Sequence, residues 1–306
     1  MRMPALFRGQ QAEGAILLMA ATFFWSTNFS AVRAMSGDIG PFTLSLIRWG
    51  LASLIVLAIS WRIIRRDLAT MRRNWKAMLL LSFTGIFIAN AATFLGLRYS
   101  TALNAAILQS SGSLVVLLAS LFIFGERATT RQIIAVTLSS IGVLVITARG
   151  SLQTIIDLDL NIGDLFLWLG VASYAVYTPL LRLRPNVHQI SFLFANCALG
   201  TLMFVPLSAL ELAYWHVPTL SPPLVVVMLY TAIFPALISQ FCFNRAVGLI
   251  GANRAGQFQQ LTPAFGVIIA MATLGEVMHP YHVAGIALIA CGLFLASRAR
   301  KKPVAA

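Results

Sequence analysis

Acidic residues are scarce in this chain. Its 306 residues hold nine Asp and Glu against 22 Lys and Arg, and charged residues of all kinds make up 10%. A soluble domain carries about 25%. An extended soluble domain is therefore excluded, and a mean hydropathy of +0.85 points to a polytopic α-helical membrane protein. Cysteine is equally sparse. Cys197, Cys242 and Cys291 lie inside apolar runs without metal-type spacing, which argues against a disulfide framework or a metal site. The four histidines (His188, His216, His279 and His282) stand at the ends of apolar runs, and no run contains paired acids. A membrane-embedded enzyme would need such groups within its spans, so neither catalysis nor a metal or cofactor is expected. A G-x-x-x-x-G-K-[ST] loop is also lacking, which leaves ATP drive within the chain unsupported. Polar residues within the runs are too few to line a continuous aqueous channel.

The net charge of +13 would suggest nucleic acid in a soluble protein. Here the basic residues flank apolar runs, where they set orientation in a bilayer, and no nucleic-acid partner is expected.

What the chain does have is apolar length. A spanning helix needs about 20 mostly apolar residues, and ten segments qualify: about 13–33, 41–61, 76–97, 102–125, 131–148, 163–182, 189–212, 223–246, 254–274 and 281–298. Arg2 and Arg8 ahead of the first run imitate a signal peptide, but that run has a partner later in the chain, so an uncleaved first helix is expected. With both termini in the cytoplasm, all but four of the 22 Lys and Arg fall inside; Arg33, Arg98 and Arg149 fall outside and Arg48 lies within a span. The bias predicts cytoplasmic amino and carboxyl ends.

Two apolar runs close on the same pair, "FGER" (Phe124 to Arg127) and "LGEV" (Leu274 to Val277), 275 − 125 = 150 residues apart. At that spacing Ala105 meets Ala255, Gln109 meets Gln259 and Gly142 meets Gly292; at 149, Trp25 meets Tyr174; at 147, Phe83-Thr84 meets Tyr230-Thr231. The division is 1–150 and 151–306, each half with five spans. Five is odd, so the second copy runs through the bilayer upside down. The expected fold is an all-α polytopic membrane protein with ten transmembrane helices as two inverted five-helix repeats. Transporters so built hold their substrate near the midplane, where the halves meet.

The chain resembles the drug/metabolite transporter superfamily, specifically the EamA-type ten-helix exporters. The resemblance rests on Trp25 to Phe29 ("WSTNF"), Arg48, "RYSTALNAAILQSSGSLVVLLASLFIFGER" (Arg98 to Arg127) and its second-half partner "NRAGQFQQLTPAFGVIIAMATLGE" (Asn253 to Glu276). It is most similar to bacterial inner-membrane exporters of aromatic and other amino acids. The resemblance implies a multi-pass protein of the inner membrane, exporting small metabolites by alternating access. One departure is Gly112-Ser113, where many members carry a proline like Pro263, which leaves a break in the fourth helix open.

No acidic residue lies in the middle of any span; Glu13, Glu126, Asp164 and Glu276 sit near helix ends. Proton-coupled carriers place carboxylates or His within the membrane, so facilitated diffusion or exchange is expected, with a proton-linked multidrug or other metabolite carrier as the alternative. Arg48 is the ionisable residue well inside a span. The favoured reading is that it snorkels, or pairs with backbone carbonyls near the helix end; attraction of a substrate carboxylate is the alternative.

Candidate lining residues are uncharged amides and hydroxyls (Asn28, Asn90, Gln109, Ser113, Gln257, Gln259 and Gln260) with aromatic faces (Trp25, Phe83, Phe87, Trp168, Tyr174 and Tyr177). In hydrocarbon such polar groups need a partner, so they either face the bundle interior or tie helices together. Pro235 and Pro263 are the hinge candidates. Gly125 closes its helix, leaving Glu126, like Glu276, a structural or gating role. The expected partners are the bilayer and a small-molecule substrate, amino acids foremost. The oligomeric state stays open, and a monomer is compatible with the pattern.

Overall fold

The structure is a computed structural model that describes residues 5–34, 38–157, 159–214, 218, 221–274 and 277–297. Among these there is no strand, and the helices follow in order: α1 (Ala5–Ala34), α2 (Pro41–Arg73), α3 (Trp75–Tyr99), α4 in two pieces (Ala102–Ser110 and Gly112–Phe124), α5 (Thr130–Thr147), a short helix (Leu152–Ile156), α6 (Ile162–Leu183), α7 (Gln189–Tyr214), α8 (Pro222–Ile250), α9 in two pieces (Ala252–Phe258 and Leu261–Leu274) and α10 (Pro280–Ser297). Eight helices in the described residues are long and apolar enough to cross a membrane, α2 to α8 and α10. The remaining two expected spans are helical as well. The first lies within the 30 residues of α1. The ninth is divided at Gln259-Gln260 into pieces of 7 and 14 residues.

Local chemistry sets the boundaries. Pro41 and Pro222 open α2 and α8, where a missing N–H costs nothing. Thr129 caps α5 in a reciprocal box with Gln132, and Asn161 caps α6 with Asp164. Gly125 ends α4 at φ +67°, and the next N–H, from Glu126, reaches back to the Ser120 carbonyl at 3.2 Å. Glu126 then pairs with Arg182 at 2.5 Å. It ties the end of α4 to the end of α6 rather than serving the start of α5. Glu276 and Trp215 lie outside the described residues. Apolar side chains left outside the bundle, such as Phe122, Ile59 and Leu202, present a surface suited to lipid; Trp75 and Tyr214 are exposed at helix ends, where amphipathic rings anchor, and Trp61 is exposed within α2.

The extensive helix contacts run between the halves, in a two-fold pattern. α5 packs on its repeat partner α10, and α2 on its partner α7; α1 packs on α8 as α3 packs on α6. Small residues permit the close approach. A Cβ on Gly142 would stand 2.6 Å from the Gly285 carbonyl oxygen across α5 and α10, and one on Gly96 would stand 2.7 Å from the Gly163 carbonyl oxygen across α3 and α6. Carboxylates repeat the pattern. Glu211 of α7 accepts from the Phe42 and Thr43 N–H groups at the start of α2, at 3.2 and 2.6 Å. Asp67 of α2 accepts from the His188 N–H just ahead of α7, at 2.8 Å. Each helix of this pair thus satisfies the other's free amino-terminal donors.

Four interruptions fall near mid-helix. α3 and α8 each contain a π-helical turn, Phe83–Ile88 and Ala232–Ile238. Pro235 accounts for the second, since it removes a ladder donor, while α3 carries its turn without proline. Side-chain donors reach carbonyls within both turns: Asn90 to Ile86, Ser173 of α6 to Thr84, and Ser239 to Phe234. α4 breaks at Ser111 and α9 at Gln259-Gln260, so the missing proline at Gly112-Ser113 does not keep α4 continuous.

Candidate functional site

The interruptions surround a cavity of about 880 Å³, counting the space at its mouth. It lies between the halves, lined from α1, α2, α3, α4, α6, α8 and α9. Of the residues expected from the sequence, Trp25, Asn28, Asn90, Gln109, Tyr174 and Gln259 are on its wall, together with Pro235. The repeat-matched Gln109 and Gln259 face one space because both sit at helix breaks, α4 just before Ser111 and α9 at the break itself.

The other expected residues are elsewhere. Phe83 is 43% exposed and Trp168 45% exposed, both on the outside of the bundle, so neither lines the cavity. The π turn that begins at Phe83 adds a residue to the helical register, which turns Asn90 inward and leaves Phe83 outward. Trp168 stands nine residues before Tyr177, about 180° away around a helix at 100° per residue. Phe87 packs on Phe204 behind the wall, ring centroids 5.1 Å apart. Ser113, Gln257 and Gln260 tie helices together: Ser113 donates to the Gly256 carbonyl at 2.9 Å, Gln257 to the Gln132 carbonyl at 3.4 Å, and Gln260 to the Ser110 carbonyl at 2.8 Å and the Ser140 hydroxyl at 3.1 Å. Gln257 and Gln259 are two residues apart and point about 200° apart, so they cannot share a wall. Pro263 sits in the first turn of the second piece of α9, just past the break.

At one end the cavity floor is aromatic. Trp25 meets its repeat partner Tyr174 edge to face at 5.5 Å, and Phe243 packs on both at 5.2 and 5.4 Å. Beneath lies Tyr177, with no exposed surface. Its hydroxyl donates to Asn244 Oδ1 at 2.7 Å and accepts from Asn196 Nδ2 at 3.1 Å and Gln240 Nε2 at 3.0 Å. Gln240 also reaches the wall and accepts from the Tyr174 hydroxyl at 3.2 Å. Tyr177 is therefore the hub of a buried network beneath the cavity rather than a lining residue.

Arg48 departs from the sequence expectation most. It neither snorkels nor pairs with backbone carbonyls. It is 3% exposed, lines the cavity, and donates to two side-chain amide oxygens, Asn28 Oδ1 at 3.1 Å and Asn90 Oδ1 at 2.5 Å. Its guanidinium lies over the rings of Trp49 and Phe94, 5.2 and 5.4 Å from their centroids. Trp49, Thr93, Phe94, Gln240 and Thr262 complete a wall that the sequence reading left out. One signal could have found Gln240: it stands 150 residues after Asn90, as Gln259 does after Gln109. The wall offers π faces, amides and one guanidinium, and among the described residues it holds no carboxylate.

Comparison with known proteins gives this arrangement a context. The chain is 25% identical over 293 residues to the uncharacterized transporter YyaM of Bacillus subtilis, covering 92% of each. It is 29% identical over 286 residues to an uncharacterized transporter of Archaeoglobus fulgidus, covering 92% of this chain and 96% of that one. A crystal structure of another protein matches the fold with a TM-score of 0.76 at 15% identity, over 93% of this chain and 96% of that chain. The profile of the EamA-like transporter family fits twice, to residues 12–148 and again to 161–298. The chain belongs to the EamA-like transporter family.

Proposed function

We propose that this membrane transporter exports small metabolites, amino acids including aromatic ones foremost, by alternating access, through facilitated diffusion or exchange. The observation that carries the reading is the cavity between the halves, lined by aromatic faces and amides and floored by the Tyr177 network. Such walls suit a planar or amphipathic solute of metabolite size. The floor is held by hydrogen bonds among α6, α7 and α8 of the second half, and alternating access requires that it open. In the same reading the protein resides in the bacterial inner membrane with both termini in the cytoplasm, since basic residues gather in the loops on that side. A strongly cationic drug is a poorer fit, because among the described residues the wall carries a guanidinium and no carboxylate.

Uptake of labelled phenylalanine or threonine into liposomes reconstituted with the pure protein tests this directly. We expect uptake above that of empty liposomes, unchanged by an imposed pH gradient. Equal uptake by empty liposomes would end the amino-acid reading, and a strong response to the gradient would replace facilitated diffusion with proton coupling.

A further inference from the structure

We infer that the cavity takes an anionic substrate group, a carboxylate in the first instance, on Arg48. The inference rests on the reading of this cavity as the substrate site and goes beyond it by assigning the charge that the substrate must carry.

Three observations converge. The first is that Arg48 is buried without a counter-ion. Among the described residues the ion pairs are Arg182 with Glu126 and Arg245 with Glu13, and Arg48 has only neutral amide oxygens. Those bonds use two of its five N–H donors. A desolvated cation held by amide dipoles and two ring faces, with no opposite charge, is costly, and an anion entering the cavity supplies the missing charge.

The second is the polarity of what is left unpaired. Buried polar side-chain atoms without a partner occur on three lining residues: Arg48 Nε, Trp49 Nε1 and Gln259 Nε2. All three are N–H donors. A ligand that satisfies them must bring acceptors, as a carboxylate does with its two oxygens, and the rigid fork of Arg48 matches that group in both spacing and plane.

The third is a control that the molecule itself contains. Arg48 links α2 to Asn28 of α1 and Asn90 of α3. The second half builds the equivalent three-helix tie: α7 supplies Asn196, α6 supplies Tyr177 and α8 supplies Gln240, meeting at the Tyr177 hydroxyl. The members correspond through the repeat, Asn28 with Tyr177 at 149 positions, Arg48 with Asn196 at 148 and Asn90 with Gln240 at 150. The second tie holds its helices with no charge at all. A charge is therefore not what the tie requires, and the guanidinium on the cavity side serves the ligand.

The test uses three ligands that share a phenyl ring: phenylalanine, 3-phenylpropionate with the carboxylate alone, and phenethylamine with the ammonium alone. Binding to the full-length protein in detergent is read from the quenching of tryptophan fluorescence, to which Trp25 and Trp49 on the wall contribute. We expect both carboxylates to bind and phenethylamine to fail. Arg48→Gln should weaken both carboxylates by at least about tenfold, and Arg48→Lys, which keeps the charge and loses the fork, by less. Binding of phenethylamine as tight as that of the carboxylates overturns the inference. So does unchanged carboxylate affinity in a normally folded Arg48→Gln protein, or the failure of both carboxylates to bind at millimolar concentration. If Arg48→Gln does not fold, the three-ligand comparison on the unaltered protein still decides. Binding and transport of 3-phenylpropionate without phenylalanine would sustain the anion site and end the amino-acid reading.

Discussion

Replacing Tyr177 with phenylalanine removes one oxygen atom and leaves a shape that fits the same space. The hydroxyl lost is the meeting point of three hydrogen bonds, to Asn244, Asn196 and Gln240, in a region with no solvent contact. A net buried hydrogen bond contributes about 1 kcal/mol, and a partner stranded without solvent costs about 1–3 kcal/mol. The network has little slack, because Asn196 Oδ1 and Asn244 Nδ2 are already unpaired. Together these give a penalty of about 2–4 kcal/mol on the closed floor, which at about 1.4 kcal/mol per factor of ten is a 30- to 1,000-fold rise in the open form. Cys197, fully buried one residue after Asn196, reports the opening. In a background without Cys242 and Cys291, maleimide labelling of Cys197 should accelerate in Tyr177→Phe, with a lower melting temperature. Tyr174→Phe, which removes a single bond to Gln240, should accelerate it far less. Labelling at the unaltered rate in Tyr177→Phe, or an equal acceleration in Tyr174→Phe, would refute the assignment of Tyr177 as the hub of the floor.

Other expectations are as concrete. Gly142→Ala places a methyl against the Gly285 carbonyl and Ile289 in a backbone-to-backbone contact, and should cost about 1–3 kcal/mol, read as a drop in melting temperature in detergent. Glu211→Ala strands the first N–H groups of α2 and should cost about 0.5–2 kcal/mol in the same measurement, with Glu211→Gln retaining part of it. Phe83→Ala and Trp168→Ala should leave ligand binding unchanged, whereas Trp25→Ala should weaken it several-fold; fluorescence titration of any ligand that binds separates them.

The helical architecture was legible because apolar length, prolines at first turns and the 150-residue repeat are local features that no packing detail overrides. The cavity was half legible for the same reason. Gln109 with Gln259, and Trp25 with Tyr174, could be found as repeat partners before any geometry was known. The facing of side chains was not. A helix that is apolar all round carries no stripe to fix its rotation, so Phe83 and Trp168 looked as inward as Tyr174. The π turn in α3 then shifted the register without a proline to announce it. Arg48 was misjudged because nearness to a helix end suggested escape to water, while its acceptors, Asn28 and Asn90, stand 20 and 42 residues away in sequence. Conversely, Asp164, read from the sequence only as an acid near a helix end, is buried: it accepts from Ser100, Asn104 and the Asn161 N–H, joining the start of α6 to the α3–α4 turn.

The packing of the halves also has a consequence for how the chain is made. Because α2 needs α7, α3 needs α6, α1 needs α8 and α5 needs α10, the first five helices have few partners among themselves. When the ribosome has finished Thr147, the glycine face of α5 and the amino end of α2 are still waiting for residues near 285 and 211. At about 5–20 residues per second, the roughly 140 residues separating Gly142 from Gly285 take about 7–28 s to arrive. For that interval a half-built bundle must persist in the bilayer with its polar and glycine surfaces shielded by lipid or by the insertion machinery. Assembly of this protein is thus less the growth of a core than the late closing of one half upon the other.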